Sequence, residues 1–277
     1  MWMLVAALFC VIVLWSSRGF WRETLDAALK PTLPPAAIYH ADDGQDVPST
    51  PTSTTTPPQK KPRSAGISSS TSTHIGEPPP TTTNLPKEIN LAVPFLSQAP
   101  KQNWAMPYQE ACEEASMIMV NAYFADRTKS FAGDEGDQAI LDIVAFETER
   151  ALEADITAKQ ASDLIPLYFA KRQARVIVRP TVEMIRGLLA KGIPVIVPAD
   201  GKALKNPNFH NGGPPYHMLV IKGYLADGRW IVNDPGTRKG ADYIYDRDLL
   251  MGAIRDWNGG DVPHGTPAII VMQPSKN

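Results

Sequence analysis

The chain of 277 residues is poor in cysteine, and its two cysteines, Cys10 and Cys112, lie far apart in the sequence. A disulfide framework and a cysteine-rich zinc site both need more thiols than this, so both are excluded. The formal net charge is only −2, which excludes the strongly basic surface typical of proteins that bind nucleic acid. A glycine-rich phosphate loop of the required pattern is also missing. We therefore expect no cofactor, no bound metal and no nucleic-acid partner.

Large apolar residues are almost absent from residues 31–86. This stretch holds 12 of the 26 prolines, and serine and threonine supply much of the remainder. Such a composition cannot bury enough apolar surface to offset the entropy lost on ordering, so we predict a disordered tether. The predicted organisation is an N-terminal hydrophobic segment with its flank at residues 1–30, the tether at residues 31–86 and one folded domain at residues 87–277.

The N-terminal segment contains an unbroken apolar run at residues 2–15. As a helix it would span about 21 Å of a hydrocarbon core that is about 30 Å thick. Arg18 could extend this reach by snorkelling, and Trp21 could anchor at the interface. A secretory signal is the competing interpretation, although no basic residue precedes the run. We expect a cell-membrane anchor that holds an exported domain, with a secreted protein as the alternative.

The folded region places helical patterns before strand patterns. A strand is predicted over residues 89–96, and helices over residues 109–124, 137–153, 157–172 and 181–191, with Thr157 as a cap and Gly192 as a terminator. Further strands are predicted at residues 175–178, 193–198, 217–224, 229–233 and 268–272. This order predicts an α+β fold in which the N-terminal helices pack on an antiparallel sheet.

Cys112 lies at the start of the helix predicted over residues 109–124. A thiol in a first helical turn feels the positive end of the helix dipole, so its pKa can fall and favour the nucleophilic thiolate. Glu110, Glu113 and Glu114 oppose this effect, and we interpret them as solvated charges of the first turn. A small buried side chain is the alternative role for a lone cysteine.

A base for this thiol must be held rigidly, which favours His217 at the start of the strand HMLVIKGY over His210 in the long loop at residues 200–216. The turn at residues 227–228 predicts a hairpin that brings Asp234 beside His217, where its carboxylate could fix the tautomer of the ring. Asp234 could instead serve only as a turn former in Asp-Pro-Gly. Asn233 points to the opposite face of a regular strand and is the weaker candidate.

Fixed donors are also needed for an oxyanion, and the backbone N–H of Cys112 is one candidate. Gln98 at the end of the first strand and Gln109 just before the helix are the side-chain candidates.

Four segments together resemble a known family: VPFLSQ at residues 93–98, CEEASMIM at 112–119, HMLVIKGY at 217–224 and VNDPG at 232–236. They are similar to the double-glycine cysteine peptidases that process bacteriocin leaders, and closer still to the free-standing bacterial domains related to them. The resemblance implies a papain-like fold in which Gln98 helps to form the oxyanion hole, Cys112 is the nucleophile, His217 the general base and Asp234 its partner. It also implies a thiol-dependent peptidase or amide hydrolase that acts on a peptide or protein through an acyl-enzyme.

The chain departs from that family in two respects. Gln98 lies further from Cys112 than the family's glutamine does, so residues 100–107 are an insertion or Gln109 has taken the role. The transporter and ATPase domains of true leader processors are absent, which leaves the substrate open. A transpeptidase or acyltransferase that uses the same three residues is one alternative, and a non-catalytic module that binds peptide or glycan at the cell surface is another.

Overall fold

The structure is a computed structural model, and it describes residues 30–38 and 85–275. The chain divides into two units, Met1–Pro34 and Pro35–Asn277, and every element named below belongs to the second. The apolar run at residues 2–15, and with it the predicted anchor, lies outside the described residues. Among the helices that are described, none combines the length and the apolar character needed to cross a bilayer.

Seven strands of the described region form one sheet. They are β1 (Ile89–Asn90), β2 (Arg172–Val178), β3 (Val195–Asp200), β4 (Tyr216–Tyr224), β5 (Trp230–Asn233), β6 (Tyr243–Tyr245) and β7 (Ala268–Pro274). The order is β2-β7-β3-β4-β5-β6, and β1 pairs with the end of β4. All of these pairings are antiparallel.

Five α-helices accompany the sheet in the same region. They are α1 (Cys112–Tyr123), α2 (Gly133–Thr148), α3 (Ala158–Tyr168), α4 (Val182–Ala190) and α5 (Arg247–Ala253). Helix α1 packs against β4, and α3 packs against β2 and β7. Every residue of β4 and β5 is buried, which requires that both faces of the sheet centre are covered. The predicted α+β class, with helices packed on an antiparallel sheet, is confirmed.

Local signals define several helix ends as predicted. The hydroxyl of Thr157 accepts from the Gln160 backbone N–H, and the Gln160 side chain accepts in turn from the Thr157 backbone, so a capping box starts α3. Gly192 follows α4 with a φ of 72°, a left-handed conformation that glycine adopts without a Cβ penalty.

Other boundaries were wrong. The strand predicted over residues 89–96 is regular only at Ile89–Asn90, and Leu91 forms a bridge with Ala37 from the predicted tether. Pro94 lacks the N–H that a continuing ladder requires. The first helix begins at Cys112 rather than at residue 109, because Tyr108–Glu110 forms a separate 3-10 turn. Strand β6 and helix α5 were not predicted at all.

Candidate active site

A hairpin brings His217 and Asp234 together. His217 is the second residue of β4, and Asp234 follows the last residue of β5, which runs antiparallel to β4. The Nε2 atom of His217 lies 2.8 Å from Oδ1 of Asp234, and both side chains are buried. The proximity predicted from the turn at residues 227–228 is therefore present in the structure.

The carboxylate of Asp234 is held by further donors. The hydroxyl of Tyr245 donates to Oδ2 at 2.7 Å, the Nδ2 of Asn206 donates to the same oxygen at 3.1 Å, and the Gly236 N–H donates to Oδ1 at 3.0 Å. Burial alone would raise the pKa of Asp234. The charge of His217, its hydrogen bond and the other donors have the larger combined effect, so the net pKa of Asp234 lies below its usual value. Asp234 is therefore an ionised carboxylate that is itself buried from solvent.

Sequence reasoning missed Asn206 and Tyr245 as partners of this carboxylate. Asn206 lies in the long loop at residues 200–216, and Tyr245 lies in the unpredicted strand β6, which pairs with β5. The Asn206 amide also donates to the Tyr245 hydroxyl at 2.8 Å. The only sequence signal for Tyr245 was the short YIY segment, which has strand character but gives no partner.

Cys112 is the first residue of α1 and is 4% exposed. Its thiol donates to Oε2 of Glu113 at 2.8 Å. Burial raises the pKa of the Cys112 thiol well above its usual value, and the charges of Glu113 and Glu114 raise it further. The expected lowering of this pKa is therefore wrong for this structure, because desolvation and neighbouring carboxyl groups outweigh the helix dipole.

The sulfur of Cys112 nevertheless lies close to the histidine strand. The backbone N–H of Met218, the residue directly after His217, donates to this sulfur. This hydrogen bond lowers the thiol pKa, but by less than burial and the two glutamates raise it. Within the described part of the chain, no hydrogen bond joins the sulfur to the His217 ring. The Nδ1 atom of that ring likewise has no partner there, and the ring lines an open cleft.

The interpretation of Glu113 and Glu114 as solvated charges is wrong. Glu113 is fully buried and Glu114 is 4% exposed. Burial raises the pKa of Glu113 to about 8, and Oε1 of Glu113 accepts from the Ile156 N–H at 3.4 Å. Burial also raises the pKa of Glu114 well above its usual value, and Glu114 shares a hydrogen bond with Glu147, which comes from helix α2. These carboxyl groups are interior because α1 is covered on almost every side.

Gln98 and Gln109 flank the same cleft, but both have partners. The Nε2 of Gln98 donates to the backbone oxygens of Tyr108 and Gln109 at 3.0 and 2.9 Å, so both of its N–H groups are used. Its Oε1 is buried and has no hydrogen-bond partner among the residues that the structure describes. The Nε2 of Gln109 donates to Glu110 at 2.9 Å. Gln98 thus ties the first segment to the turn that precedes Cys112.

The cleft beside His217 has a volume of about 740 Å³, within the range of small-molecule and peptide sites. The long loop at residues 200–216 forms one wall, and the turn after Asp234 forms another. The lining residues are Gln98, Trp104, Gln109, Asn208, Phe209, His210, Asn211, Gly213, Pro214, His217, Gly236, Thr237, Arg238 and Lys239. Phe209 packs edge-on against the His217 ring, with centroids 5.2 Å apart.

The other histidines and Asn233 lie elsewhere or serve other roles. His210 is exposed on the loop wall of the cleft, and His264 pairs with Asp261 on the surface. The Nδ2 of Asn233 donates to the backbone oxygens of Val93 and Pro94, away from the His217 ring. His40 and His74 lie outside the described residues.

Metal-ligating groups are sparse in the region that the structure covers. There, no three His, Cys, Asp or Glu side chains converge in a way that could hold an ion. The acidic segment at residues 133–137 forms the first turn of α2. Its Asp134 and Asp137 both pair with Lys101 at 2.9 Å.

The chain matches a known protein family. The model of the Peptidase_C39 like family matches residues 90–259, which include Gln98, Cys112, His217 and Asp234. This match confirms the resemblance carried by the four motifs and the papain-like fold class that it implies. Among curated proteins, none matches the chain.

Two solved structures are also similar. The crystal structure of a candidate C39-like peptidase from Bacillus anthracis is 17% identical with a TM-score of 0.44, and the match covers 68% of this chain and 99% of that one. A fragment of prointerpain A from Prevotella intermedia, with a cysteine replaced by alanine, is 17% identical with a TM-score of 0.33 and coverages of 55% and 46%.

Proposed function

The chain belongs to the Peptidase_C39-like family, and on that premise we propose that it hydrolyses peptide bonds in a peptide or protein through Cys112, His217 and Asp234. The observation that carries the proposal is the buried His217–Asp234 pair at the edge of an open cleft, 2.8 Å between Nε2 and Oδ1. A purely structural aspartate would not need a histidine partner whose other ring nitrogen is left free.

Asp234 would fix the ring in one tautomer. An ionised Asp234 accepts the Nε2–H of His217, so Nδ1 carries the lone pair that can receive a proton. Three further donors hold the carboxylate in place, which keeps the orientation of the ring constant. His217 is therefore the proposed general base.

Cys112 is the proposed nucleophile, and its thiol must break the hydrogen bond to Glu113 before it can react. Rotation about the Cα–Cβ bond of Cys112 would move the sulfur from the Glu113 carboxyl group towards Nδ1 of His217, which takes the thiol proton. The thiolate then attacks the carbonyl carbon, and a C–S bond forms. His217 returns the proton to the departing amine as the C–N bond breaks. Water then attacks the thioester while His217 takes a proton from it, the C–S bond breaks, and His217 returns that proton to the departing thiolate of Cys112.

The oxyanion would be stabilised by backbone and side-chain donors. The N–H of Cys112 is at the start of α1, where the helix ladder does not need it. Gln98 remains the proposed side-chain donor. One of its N–H groups would break its hydrogen bond to a backbone oxygen and donate to the oxyanion instead. Gln109 is the alternative, because it lines the same cleft with its amide exposed.

A non-catalytic peptide-binding domain is the second candidate, and one observation favours it. The thiol of Cys112 is bound to Glu113, and its pKa is raised by burial and by neighbouring carboxyl groups. A thiol that stayed in this state would not attack a carbonyl group at neutral pH.

Alkylation with iodoacetamide separates the two candidates. Peptide mapping by mass spectrometry distinguishes labelling at Cys112 from labelling at Cys10, which serves as an internal reference. We expect the labelling of Cys112 near neutral pH to slow sharply in His217→Ala. Cleavage of a peptide library should fall by about 100-fold or more in that variant and vanish in Cys112→Ala. Equal labelling with and without His217, together with no cleavage by the unaltered chain, would establish the binding domain.

A further inference from the structure

Among the residues that the structure describes, those that line the cleft beside His217 place positive charge on one wall and include no acidic side chain. Arg238 and Lys239, both exposed, lie on the turn that follows Asp234, and no aspartate or glutamate is among the lining residues. The whole chain has a net charge of −2, so this concentration of positive charge is not a property of the surface in general.

Neither cation is neutralised by a carboxylate in the part of the chain that the structure describes. Arg238 instead donates from Nη1 to the neutral Oε1 of Gln102 at 3.0 Å. Some other exposed cations are paired with acidic side chains, as Lys159 is with Asp163 and Arg247 is with Asp248. The two cleft cations therefore keep their charge available to a ligand.

The turn that carries these cations is held in place and lies against the base. The Asp234 N–H donates to the Gly240 oxygen at 2.9 Å, and the Gly240 N–H donates to the Thr237 oxygen at 3.1 Å. A Cβ added to Gly236 would come within 2.7 Å of Cε1 of His217, so the backbone touches the ring just two residues before Arg238. If the two cations bind an acidic side chain of a peptide, that side chain would thus lie one or two peptide residues from the peptide bond that faces His217.

The other walls favour a polypeptide ligand. Trp104 is 40% exposed and Phe209 is half-buried, and both line the cleft and offer apolar surface. We propose that the cleft selects an internal peptide segment that carries Asp or Glu side chains beside the scissile bond, with Arg238 and Lys239 as the groups that recognise it. This inference rests on the proposed function, because it names the substrate of the same site.

Binding to the full-length Cys112→Ala chain tests the inference without requiring cleavage. The probes are a fluorescein-labelled peptide of Glu, Ala, Gly and Phe and its twin in which Gln replaces each Glu, both acetylated and amidated. We expect the Glu peptide to bind about fivefold more tightly by fluorescence anisotropy, as two partly exposed ion pairs permit, and the difference to shrink at high salt. Arg238→Gln with Lys239→Gln should abolish the difference, whereas Lys87→Gln with Lys191→Gln, which removes two exposed cations away from the cleft, should preserve it.

The outcomes separate this inference from the proposed function. Equal affinity for the two peptides, or a preference that the cleft variant retains, overturns the acidic selectivity even if the unaltered chain cleaves peptides. Selective binding without cleavage by the unaltered chain supports the inference while the proposed hydrolysis fails.

Discussion

Replacing Glu113 with glutamine should remove a pH-dependent loss of stability. Burial raises the pKa of Glu113 from 4.5 to about 8, so the folded state holds a proton that the unfolded state releases. The stabilisation is fully present below about pH 4.5 and is lost as the pH rises through about 8. A pKa difference of about 3.5 corresponds to at most about 5 kcal/mol of unfolding free energy between those limits.

The assay compares urea unfolding of the unaltered chain and Glu113→Gln at several pH values. Glu147 titrates in both proteins, so its contribution largely cancels in the difference. The charge of Glu113 helps to raise the pKa of Glu114, so the substitution lowers that pKa and adds to the shift in the same direction. We expect this difference to shift in favour of the glutamine variant by several kcal/mol between about pH 5 and about pH 8.5. The exposed Glu88→Gln variant is the control and should show no such shift. A difference that stays constant across this pH range would refute the burial argument.

The same substitution should also change the reactivity of Cys112. Glutamine can accept from the Ile156 N–H and donate to the sulfur, so the local hydrogen bonds are kept while the negative charge is removed. The pKa of the thiol should then fall, and alkylation of Cys112 at mildly alkaline pH should be faster than in the unaltered chain. An unchanged rate would mean that desolvation alone controls the thiol.

Two other substitutions probe the support of His217. Tyr245→Phe removes a hydrogen bond to the Asp234 carboxylate and should lower the unfolding free energy by about 1.5–3 kcal/mol in denaturant titrations; a loss within error would mean that Asn206 alone suffices. Gly236→Ala places a Cβ 2.7 Å from Cε1 of His217 and should reduce kcat for peptide cleavage by displacing the ring, whereas Gly252→Ala, whose Cβ meets nothing within 4 Å in helix α5, should be neutral or slightly stabilising. Equal activity of the two glycine variants would contradict the contact with the ring.

The elements that depend on neighbouring residues could be predicted from the sequence. The Thr157 cap and the Gly192 terminator follow from hydrogen bonds and backbone conformations that span only a few positions. The approach of Asp234 to His217 also has a local origin, because a short turn between two apolar strands fixes their antiparallel register. The motifs around Gln98 and Cys112 then pointed to the family without any knowledge of the fold.

Burial and remote partners were decided only by the tertiary structure. Glu113 and Glu114 look like ordinary first-turn charges, and they become interior because α1 is covered by β4, by α2 with Glu147, and by the Ile156 segment. Asn206 and Tyr245 reach Asp234 from elements that are 28 and 11 residues away in the chain. Desolvation depends on everything packed around a group, and no short stretch of sequence contains that information.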